Sequence, residues 1–482
     1  MTIPSVNITQ LDGALGVLPS SAGKLLAVVG ASSSGTTVTP ATYARVTDLT
    51  AAFGDGPLVE AAARCIQRTG RPVVVVRTAA ATNVGAYGTP VDGVTGTSTV
   101  TVDTDVEPYD DYDVIFEVIA GGTIGVAGIT YRVSLDNGNN YSAVTGLGTA
   151  NSVTLIGNCG LDFGAGTLVA GDTFTFRTTA PRWDDTELLA GLNALSASAV
   201  NWGIVHVVGD TSATSAGVIE TWMQGINADG KHRTWIANTR LPTSGESEAT
   251  YLSSLTSAWS SFTTIRGAMC AGAADIISSV SGRNYRRPIA HHVASAHVAV
   301  DEQVNLAAID TGSAAGVNIR DAAGNPRHHD ESINPGLDDL GFCVLRTWDQ
   351  EPGVFINIPR IFSGGSSDFR LIPHRRVMNL GIETIDAYMR RRLNKEIRVN
   401  PTTGYIAETE AKEIESTATK ILQAALTTPR KASSVSFVLS RTDNILSTRT
   451  LTADVRIVPL AYPETITQTV GFSNPALAAV TA

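Results

Sequence analysis

Cysteine is scarce in this chain: four residues among 482, at positions 65, 159, 270 and 343, with no Cys-x-x-Cys pair. The spacing argues against a zinc ribbon and leaves buried thiols as the expectation. Aromatic residues make up only 6% of the chain, which speaks against a deep aromatic ligand pocket. Charged residues are also few, at 17%, yet a hydrophobic content of 43% and a mean hydropathy of +0.08 exclude a disordered chain. Long apolar runs are missing; Val73 to Val76 is typical, far short of the roughly 20 residues a membrane helix needs. The opening residues 1–13 lack a basic flank followed by an apolar stretch, so no secretory signal is expected. What remains is a soluble, folded protein, rich in Gly, Ser and Thr, whose surface suits repetitive association. At 50.4 kDa it is too long for one ordinary core, and two or three domains are expected.

Charge is unevenly spread. Residues 1–90 carry a net +2, residues 91–180 a net −9, residues 181–342 a net −7 and residues 343–482 a net +4. The ends are basic and the middle is acidic, so an anionic partner would face the C-terminal part. The imbalance is too small to mark a nucleic-acid binder.

Patterning divides the chain further. Residues 1–19 alternate weakly around Val6 and Ile8 and read as an extended arm. Lys24-Leu-Leu-Ala-Val-Val-Gly30 and Arg71-Pro-Val-Val-Val-Val-Arg77 read as buried strands flanking a helix that opens at Pro57, a βαβ unit with a parallel pair. From residue 88 to 181, Thr, Val, Gly and Asp dominate in alternating runs. Asp136-Asn-Gly138 marks a tight turn, and the whole segment reads as an acidic, β-sandwich-like insertion. Helices and strands then alternate through residue 271, and residues 20–87 with 182–342 are expected to build one layered α/β core. Residues 288–300 read as a helix and 301–340 as a long loop. Between residues 374 and 395, Met378, Ile382, Ile385, Met389 and Leu393 recur at helical spacing and predict one buried stripe. Ala411, Ile414, Ala418, Ile421 and Ala425 predict a second amphipathic helix. Paired strands follow at 434–440 and 450–460, and residues 463–482 read as a second arm around Ile466, Val470 and Phe472.

Catalytic and binding motifs are thin. Gly30-Ala-Ser-Ser-Ser-Gly35-Thr-Thr follows a strand, but Thr36 stands where a phosphate-binding loop needs Lys, and neither GxGxxG nor GxSxG spacing is present. A flexible loop is the expectation. His292 and His297 lie five apart, not at the four-residue spacing of a helical metal site. His328-His-Asp-Glu331 offers ligand types in a loop, without further fixed donors. No nucleophile or acid/base constellation stands out, so neither a catalytic residue, a metal nor a cofactor is expected. The clearest functional signal is basic: Arg370, His374, Arg375, Arg376, Arg390, Arg391, Arg392, Lys395 and Arg398 lie close together with few counter-charges. Such a cluster is either a solvated helix face or a dock for an acidic protein surface. Tyr388 is the only aromatic between Arg375 and Arg398, so interleaved stacking on nucleic acid is not expected. An arm of roughly eighteen extended residues spans about 60 Å, enough to add a strand to a neighbour's sheet; the plainer reading is a frayed terminus.

Three stretches carry a resemblance: Leu345-Arg-Thr-Trp-Asp-Gln-Glu-Pro-Gly-Val-Phe-Ile-Asn-Ile-Pro-Arg-Ile-Phe, Ser367-Asp-Phe-Arg-Leu-Ile-Pro-His-Arg-Arg-Val-Met-Asn and Ala453-Asp-Val-Arg-Ile-Val-Pro-Leu-Ala-Tyr-Pro-Glu-Thr-Ile. Together they resemble the tail sheath proteins of contractile bacteriophages and related injection machines. Ala52-Phe-Gly, Pro57-Leu-Val-Glu-Ala-Ala and the strand at 71–77 are similar to that family's opening unit. The resemblance implies an α/β multi-domain chain: a layered α/β core with an all-β insertion and a C-terminal α+β domain carrying extended terminal arms. The expected bounds are 1–19 for the N-terminal arm, 20–87 and 182–342 for the core, 88–181 for the insertion, 343–462 for the C-terminal domain and 463–482 for the C-terminal arm. It further implies stacked hexameric rings around a tail tube that contract to drive the tube through a host envelope. Partners would be other copies of the chain, the tube protein, and baseplate and tail terminator proteins, in a virion tail assembled in the host cytoplasm, without membrane insertion or direct nucleic-acid contact. By the same resemblance Ile3, Val6, Ile8, Ile466, Val470 and Phe472 would lie on exchanged strands, and Arg375, Arg376, Arg390, Arg391, Arg392 and Lys395 would face the tube. Two other classes stay open: an α/β hydrolase or nucleotide enzyme with an unrecognised site, and a virion adhesion protein whose β insertion binds carbohydrate.

Overall fold

The computed structural model describes residues 25–243, 245–320, 326–327, 336–365 and 367–471. The chain divides into two compact units, Met1–Lys395 and Glu396–Ala482. The first is organised by a six-stranded sheet. Strand β1 (Leu25–Gly30) is followed by β2 (Ala41–Tyr43), α1 (Val46–Phe53), α2 (Pro57–Thr69) and β3 (Val73–Arg77). Eleven short strands, β4–β14, lie between Ala86 and Thr179, and the sheet resumes with α3 (Asp185–Ala197), β15 (Trp202–Asp210), α4 (Ala213–Ala228), β16 (Thr234–Asn238), α5 (Glu248–Trp259) and β17 (Gly267–Cys270). The strand order is β17-β16-β15-β1-β3-β2, parallel except for the edge strand β2.

Unbroken apolar runs form these strands because both faces are covered. Leu26, Val28, Val73 and Val75 point into one core with α2 and the later helix α6 (Ala290–Ala299); Ala27, Val29, Val74 and Val76 point into the other with α3, α4 and α5. Close approach requires Gly30, where a Cβ would meet Val208 Cβ at 2.9 Å. Pro57 opens α2 at a first-turn position, where its missing N–H costs nothing. Asp184 and Glu187 form a reciprocal capping box that starts α3.

The insertion has a core of its own. Strands β7 (Asp113–Ala120), β9 (Thr130–Ser134) and β14 (Thr173–Thr179) pair antiparallel and bury Val114, Phe116, Val118, Tyr131, Val133, Phe174 and Phe176 in alternation. The turn expected at 136–138 is present, with φ of 54° at Asn137 and 84° at Gly138. Arg287 ties the insertion to the body: its Nη2 lies 2.8 Å from Asp110 Oδ2 and its Nη1 donates to the Asp111 carbonyl at 2.6 Å. Both side chains are almost wholly buried, and Tyr285 lies under the guanidinium at 4.7 Å.

Several expectations need correction. The stretch 301–340 is not all loop: a 3-10 turn forms at Ile309–Thr311, and β20 (Val317–Arg320) pairs with β18 (Ala273–Ile277), which also pairs with β19 (Asn284–Pro288). The hairpin β22 (Leu345–Trp348) and β23 (Glu351–Ile356) packs Leu345, Val354 and Ile356 into the first core, and α7 (Ile372–Arg390) follows. The residues of α7 that are buried are Ile372, Pro373, Arg375, Val377, Asn379, Gly381 and Ile385. Of the expected stripe only Ile385 is buried; Met378, Ile382 and Met389 are half-buried and Leu393, past the helix end, is 71% exposed.

In the second unit α8 (Glu408–Leu422) buries Ala411, Ile414, Ala418 and Leu422, then passes into a π-helical turn at Gln423–Thr427 that buries Leu426. The expected Ile421 and Ala425 are only half-buried; from Ala418 the inward positions advance by four, to Leu422 and Leu426. Strand β24 (Ala432–Leu439) lays Phe437 and Leu439 inward and pairs antiparallel with β25 (Ala453–Pro459), the short helix α9 (Ile445–Thr448) lying between them.

Candidate assembly surfaces

The sheet β24-β25 contains two strands, so both of its outer edges are free of strand partners among the described residues. An unpaired edge presents main-chain donors and acceptors that another strand can satisfy. Apolar side chains are exposed as well: Val438 and Val458 on one face are 53% and 51% exposed, and Val455 on the Phe437 face is 38% exposed. The hairpin is nevertheless firmly seated on α8. Glu415 accepts from the Leu439 amide at 2.7 Å and pairs with Arg441 at 2.8 Å, while Arg441 also reaches Glu408 at 2.7 Å. Arg441 holds the Glu415 carboxyl below its ordinary range.

Beyond Tyr462 the described chain, residues 463–471, is exposed and forms no helix or strand; Ile466 and Val470 are 71% and 89% exposed. Ile3, Val6, Ile8 and Phe472 lie outside the described residues, as do His328 and His329.

The basic cluster separates into two parts. Arg375 is 5% exposed and stacks over Phe369 at 5.1 Å, and Arg376 donates to the Val300 and Asp301 carbonyls at 3.0 and 3.2 Å. Burial pushes both guanidiniums down to about 10, so they remain cationic, Arg375 inside the first unit and Arg376 half-buried at its surface. Arg390, Arg391 and Lys395 are exposed and Arg392 half-exposed around the turn that ends α7, with Leu393 among them. Arg390 pairs with Asp386 at 2.7 Å, and Arg392 lies over the Tyr388 ring at 5.5 Å. The exposed patch is therefore smaller than the sequence cluster and carries an apolar residue at its centre.

The Gly30 loop is fastened rather than flexible. Its amides at Ser33 and Ser34 donate to the Asp55 and Phe53 carbonyls, and Arg77 binds the Ser32 and Gly35 carbonyls at 3.0 and 2.6 Å. Those donors are not free to cradle a phosphate. His292 and His297 are both buried on α6, and no group of three or more His, Cys, Asp or Glu suited to a metal occurs among the described residues. All four cysteines are free and buried, as expected, and burial pushes the Cys65 and Cys159 thiols up to about 12. Sequence reasoning did not single out Asp110 and Arg287; their signal was an Asp pair and an Arg pair set inside otherwise strand-like segments.

This mixed α/β architecture is one found in contractile injection machines. It is similar to a chain of the anti-feeding prophage baseplate, 6-fold symmetrised, with a TM-score of 0.53, 10% identity, and 98% of this chain and 100% of that chain covered. It is likewise similar to a chain of the anti-feeding prophage helical sheath in the contracted state, at a TM-score of 0.51 and 11% identity, covering 98% and 100%. A chain of the PVC sheath complex in the contracted state, from an extracellular contractile injection system, gives 0.51 at 9% identity, covering 98% of each. No curated protein matches the sequence. The chain belongs to the DUF2586 family, whose N-terminal domain model matches residues 3–357.

Proposed function

We propose that this chain is the sheath subunit of a contractile tail or injection machine, polymerising as stacked hexameric rings around a tube and contracting to drive it through an envelope. The observation that carries the reading is a fold shared end to end with sheath chains, together with a two-stranded sheet whose edges and apolar surface are left open. Residues 3–11 and 464–472 of neighbouring copies would extend that sheet, with Ile3, Val6, Ile8, Ile466, Val470 and Phe472 laid on it, because main-chain pairing holds an added strand whatever the body does. Head-to-tail contacts of this sort do not close and so build a helical array. Contraction then repacks bodies between two arrangements while the strand links persist. The exposed turn at Arg390, Arg391, Arg392 and Lys395 would face an acidic tube; Arg375 and Arg376 would support it from inside. Baseplate and terminator proteins would cap the array of a virion tail or a virion-derived particle built in the host cytoplasm. No catalysis and no cofactor enter this reading.

The test is truncation. Deleting residues 1–15 or 464–482 is expected to leave a folded monomer that forms no sheaths in negative-stain micrographs. Long regular sheaths from either truncated chain would refute the strand exchange.

A further inference from the structure

A crevice of about 750 Å³ opens where β15 and β16 end, walled on its other side by the insertion. The chain leaves β1 toward β3 in one direction and builds β15, β16 and β17 in the other, so the sheet order reverses beside β1. Crevices at the carboxyl ends of parallel strands next to such a reversal are where open α/β sheets take ligands, and the volume is within the range of small-molecule sites.

The lining shows what would fit. Arg177, Arg240 and Arg287 are each paired with a carboxylate, Asp113, Glu246 and Asp110 respectively. Arg182 and Arg286 are not so committed: they donate to the Asp210 and Pro242 main-chain carbonyls at 3.3 and 3.4 Å. Guanidiniums of this kind recognise phosphate and carboxylate oxygens through paired hydrogen bonds. The same wall carries an acceptor that needs a donor. The Ile236 carbonyl can only accept, so His206 Nδ1, 3.1 Å away, carries its hydrogen; His206 Nε2 then accepts from His291 Nδ1 at 3.0 Å. His291 Nε2 is left as a bare lone pair without a partner among the described residues, on a side chain only 2% exposed that lines the crevice. Asp111, whose Oδ1 accepts from the Ala180 amide at 2.9 Å, and Asp210, which accepts from the Leu241 amide and lies near both Arg182 and Arg286, are in the same lining, and Pro57, Pro181, Pro242 and Pro288 supply rigid apolar faces.

We infer that this crevice binds a phosphorylated sugar, its phosphate on Arg182 and Arg286 and its hydroxyls on His291, Asp111 and Asp210. The oxygens of Asp111 and Asp210 not taken by the Ala180 and Leu241 amides can accept hydroxyls, which a bare phosphate lacks, and a neutral sugar would bring no anion to the two guanidiniums. Because both the body and the insertion line the crevice, the ligand would also pin one to the other.

The inference stands apart from the sheath reading and is tested on the full-length chain by titration calorimetry. Glucose 1-phosphate, glucose 6-phosphate and fructose 6-phosphate are each compared with the free sugar and with inorganic phosphate. At least one hexose phosphate is expected to bind about tenfold or more tighter than either of its parts, and Arg182→Ala or Arg286→Ala to weaken it about tenfold or more, at an unchanged melting temperature. If no hexose phosphate exceeds its parts, or if both variants bind as the parent does, the inference is overturned.

Discussion

Two kinds of residue in the first unit hold their positions against the ordinary preference of their side chains for water. His206, His291, His292 and His297 are all buried, and burial lowers each of them, His206 to about 4 and the other three well below their usual value. His297 has no partner for either ring nitrogen among the described residues, and Arg376 and Arg68 lie near enough to oppose its protonation further. A group lowered in the fold contributes stability that is complete above the unfolded value, near 6.5, and declines as pH falls, since the unfolded chain binds the extra proton. Asp210, raised by burial to about 6, works in the opposite sense over part of that window. The separable expectation is therefore differential: His297→Leu should flatten the loss of stability between about pH 6 and 4.5 by about 1.4 kcal/mol per pH unit. Urea melts of both chains across that range measure it, and parallel curves would contradict it. Asp110 is the opposite case, a carboxyl that burial raises against the pull of Arg287. Arg287→Met should strand that acid and cost about 3–5 kcal/mol, with faster proteolysis inside residues 88–181 than in the parent chain.

At the scale of elements, local pattern was a good guide wherever one neighbour decided burial. The strands at 25–30 and 73–77, the Pro57 helix, the alternation through the insertion and the β24-β25 hairpin were all legible, because apolar runs, period-2 alternation and first-turn proline act within a few residues. Helix α7 shows where this stops. Its apolar repeat is genuine, yet the unit buries Arg375, Val377 and Asn379 and leaves Met378 and Leu393 partly or largely uncovered. A helical period identifies a face, and only packing decides which face meets the body. The hairpin β18-β19 and the strand β20 were missed for the same reason, since strands of four or five residues without a clear alternation are fixed by their partners. In the second unit Phe437 is 4% exposed over α8, a large side chain in a small core. Phe437→Ala is expected to cost about 3 kcal/mol or more, so that thermal melts show this unit unfolding ahead of the first. A single unchanged transition would count against that ranking.

At the scale of the whole molecule, the proposed sheath role would make charge and edges bear on assembly. Reversing Arg390, Arg391 and Arg392 to Glu should slow assembly on tubes about tenfold at low salt and less at high salt, while assembly without tubes changes little. Equal losses in both reactions would assign those arginines to stability instead. Composition alone settled that the chain folds, that no apolar run approaches a membrane span, and that its cysteines are buried thiols, because these follow from totals and spacing. It also carried a family likeness in packing residues. Only the tertiary structure decided that Arg375 is buried and Arg376 half-buried against main-chain carbonyls while Arg390 and Arg391 are exposed, that the Ser33 and Ser34 amides of the Gly30 loop are already bonded, and that a crevice lies between sheet and insertion. Those outcomes depend on which distant segments meet, Asp110 with Arg287 or His206 with His291, and contacts between residues so far apart in the chain leave no periodic trace along it.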